Sequence, residues 1–64
     1  VGVTGDYGSK ISLLFPTVQY FTTGVYANYG SDVAVIAPSY TGNTANTSPA
    51  TLNTFGNNGS LVRG

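Results

Sequence analysis

Gly30-Ser31-Asp32-Val33-Ala34-Val35-Ile36-Ala37-Pro38 decides how this chain is read. A Gly-Ser-Asp turn opens a run in which every side chain is apolar, and a proline that cannot donate to a ladder closes it. A run apolar on both faces is expected of a strand buried on both sides, so Val33 to Ala37 is the expected central strand.

The flanks carry the same β-type signal in weaker form. Ser9 to Phe15 alternates Ile11, Leu13 and Phe15 against Lys10, Ser12 and Leu14, giving one apolar face and one mixed face before Pro16. Thr17 to Thr23 sets Val18, Tyr20 and Thr22 opposite Gln19, Phe21 and Thr23, which implies burial on both sides. Gly24 is expected to break or bulge the strand before Val25 to Tyr29 resumes it. Upstream, Val1 to Thr4 runs into the turn Gly5-Asp6-Tyr7-Gly8. Downstream of Tyr40, Thr41 to Thr51 (TGNTANTSPAT) is poor in apolar residues and is expected to be a surface loop or an extended arm. Leu52 to Phe55 is a further short strand candidate, Gly56-Asn57-Asn58-Gly59 a turn, and Ser60 to Arg63 a closing strand.

No window shows helical apolar spacing, and no repeat at a fixed period stands out. The expected fold is therefore mainly β: residues 1–64 as one small domain, an antiparallel sheet or an incomplete sandwich completed by a partner chain. A solenoid is not expected.

Charge is nearly absent. Asp6, Lys10, Asp32 and Arg63 are the only charged side chains among 64 residues, and Cys and His are missing altogether. A soluble domain ordinarily draws about a quarter of its residues from Asp, Glu, Lys and Arg. The polar residues here are Thr, Ser, Asn and Gln instead, so the outer surface is neutral and hydrogen-bonding. Two lone cations at opposite ends of the chain exclude a basic patch for nucleic acid. The longest apolar run is too short to span a bilayer as a helix. Thr, Asn, Gly and Ser in place of Lys and Glu point to a location outside the cell or on its surface.

The chemistry-bearing residue types are sparse. Asp6 and Asp32 both stand in turns, where a carboxylate bonds its own backbone, and no base accompanies any Ser or Thr. No catalytic, cofactor-binding or metal-ligating residue is assigned, and the chain is not expected to be an enzyme or to need a cofactor. Asn46-Thr47-Ser48 and Asn58-Gly59-Ser60 match the N-glycosylation triplet, which arises readily by chance in a chain this rich in Asn, Ser and Thr.

Asp32 to Thr44 resembles the strand-then-loop segment of serine hydrolases of the prolyl oligopeptidase type. The nucleophile elbow and catalytic His of that family are absent here, so no activity is carried over. In composition alone the chain is similar to the globular parts of pilins and other surface-fibre subunits. Tyr20, Tyr26, Tyr29 and Tyr40 are the candidate interface or ligand-stacking residues.

The functional expectation is a structural subunit of an extracellular assembly, pilus-like or another surface filament. It would pack through neutral β edges and aromatic faces against copies of itself or a companion chain. The alternatives are a small carbohydrate-binding β module, or one chain of a processed larger protein such as a capsid protein or an enzyme.

Overall fold

In the computed structural model, which describes all residues from Val1 to Gly64, eight short strands form three sheets and there is no helix. The strands are β1 (Val3–Gly5), β2 (Lys10–Leu14), β3 (Thr17–Gln19), β4 (Thr23–Ala27), β5 (Asp32–Ile36), β6 (Ser39–Thr41), β7 (Ala45–Ser48) and β8 (Leu61–Arg63). The sheets are ordered β1-β4-β7, β2-β5-β8 and β3-β6, and every strand pair is parallel. The expected antiparallel sheet is thus overturned, and so is the exclusion of a solenoid. The chain winds in coils around a shared interior, each full coil laying one strand on each of three faces.

Register shows the winding. Val3 lies against Val25, Lys10 against Asp32 and Thr17 against Ser39, so each residue of the first coil meets the residue 22 positions later. The ladder continues round the corners, where Gly8 N donates to Tyr29 O, Phe15 N to Ile36 O and Tyr20 N to Thr41 O. The third coil holds offset 22 at Thr23 against Ala45, then shifts to 29 at Asp32 against Leu61. Seven extra residues are therefore accommodated between β7 and β8. That insertion contains Leu52 to Phe55, which form turns and bends rather than the expected strand.

Most strands bury one face more than the other, although β4 buries the adjacent Gly24 and Val25 and β8 the adjacent Leu61 and Val62. Val25, Ala27, Val33, Val35 and Val62 form the core, with Ile11, Leu13 and Tyr40 packed against it. Ile36, on the opposite face of β5 from Val35, is 47% exposed, so Val33 to Ala37 is not buried on two sides, although β5 is the middle strand of its sheet. Nor is Thr17 to Thr23: β3 ends at Gln19, and Tyr20 is 75% exposed. Thr41 to Thr51 is not wholly a loop, because Thr41 closes β6 and Ala45–Ser48 forms β7. The strand β4 also runs straight through Gly24.

Three turns of one design make the first corner. Ser9, Ser31 and Ser60 each donate through the hydroxyl to the carbonyl three residues back, on Asp6, Asn28 and Asn57 respectively. Tyr7 with Gly8, and Tyr29 with Gly30, adopt positive φ there, as do Asn58 and Gly59 in the third coil. Short polar side chains and glycine suit such a left-handed bend. Ser60 is fully buried, and Ala27 O also lies 2.8 Å from its hydroxyl and shares that one donor, which brings the third corner against the core coil.

Candidate interaction surface

The four tyrosines singled out from the sequence do not converge. Tyr26 alternates with the buried Val25 and Ala27 and so points out from the first face. Tyr29 sits at the first corner. Tyr20 stands at the third corner and lies over Gly42, where an added Cβ would come within 2.5 Å of its ring. Tyr40 points inward on the third face and packs against the core. A flat platform for a sugar ring would need two or more of these faces in one plane, and the winding puts them on different sides of the coil.

A fifth ring was missed. Tyr7 stacks on Tyr29 with centroids 4.9 Å apart and planes within 2°. The signal was present as the recurrence of Tyr-Gly-Ser at Tyr7 to Ser9 and Tyr29 to Ser31, 22 positions apart. Offset stacking adds about 0.5–1.5 kcal/mol beyond area burial in favourable cases. Here it braces two successive corners.

Burial of Tyr40 raises its phenol pKa above the ordinary value, because desolvation disfavours the phenolate. Its contribution is whole below the unfolded-state value and is lost as pH rises through the folded value, since only the unfolded chain then releases the proton easily. Tyr40→Phe removes that titration. Alkaline melts are expected to show the wild type losing stability above pH ~10 more steeply than the variant.

Three of the four charged side chains, Lys10, Asp32 and Arg63, gather on the outer face of the second sheet. Arg63 Nε donates to Asp32 Oδ1 at 2.8 Å and Oδ2 at 2.9 Å across neighbouring strands. Lys10 is in register with Asp32, and Ile11, Ser12 and Ala34 complete a shallow cleft around the pair. The Arg63 side chain is 54% exposed, so this ion pair contributes about 1 kcal/mol at most. Asp6, at the first corner, accepts from Tyr7 N at 3.0 Å. The two carboxylates thus hold a turn and an ion pair on separate parts of the coil.

What remains is the end of the winding. On β1, Gly5 O accepts from Asn28 N, and just before β2 Ser9 O accepts from Asp32 N. Just before β3, Pro16 O accepts from Ser39 N. Alternation along a parallel strand then turns the N–H and C=O of Thr4, Lys10, Ser12, Leu14, Thr17 and Gln19 away from the second coil. Within residues 1–64, β1, β2 and β3 each pair with one strand, on the side of the second coil. The first coil carries Val1, Tyr7, Leu14, Phe15, Tyr20 and Phe21 among the exposed large apolar side chains.

No family model, no curated protein and no solved structure matches this chain. No helix is long and apolar enough to cross a membrane.

Proposed function

We propose that this chain is a non-enzymatic structural subunit of an extracellular assembly, pilus-like or another surface filament, that packs against its neighbour through neutral β edges and aromatic faces. The observation that carries this reading is a nearly uncharged surface on short strands, with Leu14, Phe15, Tyr20, Phe21, Ile36 and Phe55 exposed and a single lysine to guard the strand edges. Natural proteins blunt such edges with lysines, prolines or a covering segment. Here Lys10 is the only lysine in the chain, and it lies on β2. The neutral surface supports the same reading, because it offers little repulsion to a second copy or a companion chain. The composition, with Thr, Asn, Ser and Gly in place of charge, supports a location outside the cell.

Size tests it. Light scattering on the purified chain, with electron microscopy of whatever elutes large, is expected to show species above monomer mass at micromolar concentration. A cooperatively unfolding monomer across that range overturns the reading.

A further inference from the structure

Lys10 and Arg63 stand far apart in the sequence, yet the winding sets them on one face. The sheet order β2-β5-β8 puts Lys10, Asp32 and Arg63 on neighbouring strands, so one carboxylate lies on the strand between the only two cationic side chains of the chain. The other carboxylate, Asp6, is at the first corner and accepts from Tyr7 N. Two cations against one carboxylate leave a local surplus of one positive charge on a chain whose formal net charge is zero. The ion pair within this group uses few of its donors. Arg63, in register with Ala34, reaches back to Asp32 through Nε alone, so neither terminal guanidinium nitrogen is engaged within the chain. Lys10 is in register with Asp32 but makes no ion pair and no side-chain hydrogen bond.

The floor beside these charges is small. Ser12 and Ala34 are in register in the next outward row, roughly 6–7 Å along the strands, and the row after that, Leu14 with Ile36, is large and exposed. The small row makes a depression of about 190 Å³ lined by Lys10, Ile11, Ser12, Asp32, Ala34 and Arg63. Pockets for drug-sized ligands hold roughly 300–1,000 Å³, so this one suits a single small unit. It lies on the face of a sheet, not at an edge, and is complete within one chain.

The geometry points to a binding site for a small hydroxylated carboxylate, the chemistry of a sugar acid. The ligand carboxylate bridges the Lys10 ammonium and the terminal nitrogens of Arg63, where charge-assisted hydrogen bonds form and a guanidinium meets a planar acceptor best. Hydroxyls next to that carboxylate donate to Asp32, whose two oxygens share a single N–H from Arg63, and exchange hydrogen bonds with Ser12 Oγ. The C–H side of the ligand rests on the Ala34 methyl. An inorganic anion would bring no donor to Asp32, and a neutral sugar would leave both cations without an acceptor, so the mixed set of groups disfavours each. A nucleic acid is disfavoured too, since a run of phosphates needs a row of cations and one surplus charge matches one carboxylate. Recognition here is by charge and hydrogen bonds with no ring stacking, and it operates equally in a single chain and in an assembly.

Saturation-transfer NMR with sodium D-glucuronate tests this on the full chain, because it reads the ligand and works on monomer and assembly alike. Glucuronate is expected to bind in the millimolar range, weakened by raised salt because the cleft is open. Glucose observed directly, and acetate and inorganic phosphate as competitors, are each expected to bind at least about tenfold more weakly. Lys10→Gln removes a charge that holds nothing in the fold, so it is expected to keep the melting midpoint while weakening glucuronate at least about tenfold. Ser12→Leu fills the floor and keeps all three charges, and is expected to abolish binding with the β circular-dichroism spectrum unchanged. Acetate or phosphate competing as well as glucuronate itself overturns the hydroxylated carboxylate in favour of a general anion. Glucose binding as tightly as glucuronate overturns the role of charge. No saturation transfer to glucuronate, or a Lys10→Gln or Ser12→Leu chain that binds it as wild type does, overturns the site, and each of these results leaves the assembly reading to its own test by size.

Discussion

Val33→Lys is expected to leave the chain unfolded, whereas Ile36→Lys, three residues on in the same strand, leaves it folded. Val33 is fully buried at the middle of the three-stranded sheet, and Ile36 is outward and half exposed. An ammonium in the core costs several kcal/mol unless it neutralises or reaches water, and no carboxylate lies among the core residues. The whole stability of a 64-residue domain is roughly 3–10 kcal/mol at 0.05–0.15 kcal/mol per residue. One such substitution consumes most or all of that. At Ile36 the lysine stem lies along the outer face and its head stays in water, so the change is expected within about 1 kcal/mol. Circular dichroism of the two purified variants checks both. Equal damage would mean that both faces of β5 are buried, the arrangement that the apolar run alone implied.

That contrast also shows what was legible in the sequence. The existence of strands at Lys10 to Leu14 and Asp32 to Ile36, the central place of the latter and the turns at Gly30 and Gly59 follow from alternation and turn chemistry. Strand direction does not. In a coil every strand has one face inside and one outside, so Ile11, Leu13, Val33 and Val35 alternate with their neighbours as they would in a half-exposed antiparallel sheet. The winding was written only in the repeat: Gly2, Val3, Tyr7, Gly8, Ser9, Pro16 and Thr22 recur at Gly24, Val25, Tyr29, Gly30, Ser31, Pro38 and Thr44. Some other pairs keep character rather than identity, as Ile11 with Val33 or Leu14 with Ile36, others such as Tyr20 with Gly42 and Phe21 with Asn43 keep neither, and the seven-residue insertion throws the third copy out of phase. Thr47 conceals a core position in the same way. It lies inside against Val25, with its hydroxyl donated to Pro49 O at 3.0 Å, so a polar residue stands where the pattern asks for a valine.

Gly24→Val is expected to destabilise the chain by about 3 kcal/mol, at the upper end of what overpacking costs. Glycine is required here by space rather than by backbone conformation, for Gly24 is not among the glycines with positive φ. A Cβ would sit 2.6 Å from Asn46 O and 3.0 Å from Val18 Cγ1. The carbonyl cannot retreat without opening the ladder between β4 and β7, and the valine cannot retreat without opening the interior at the third face. Gly8→Ala provides the control. A Cβ at Gly8 meets nothing within 4 Å, but its φ of 75° leaves an alanine strained by about 1–2 kcal/mol. For a domain of this size 1 kcal/mol moves the melting midpoint by about 4–8 °C, so the two variants are expected to fall about 12–24 °C and about 4–16 °C below wild type. The melts are compared at one protein concentration, because association shifts the midpoint by mass action. If Gly24→Val melts no lower than Gly8→Ala, the second and third coils are not in the close contact that the lack of space at Gly24 implies.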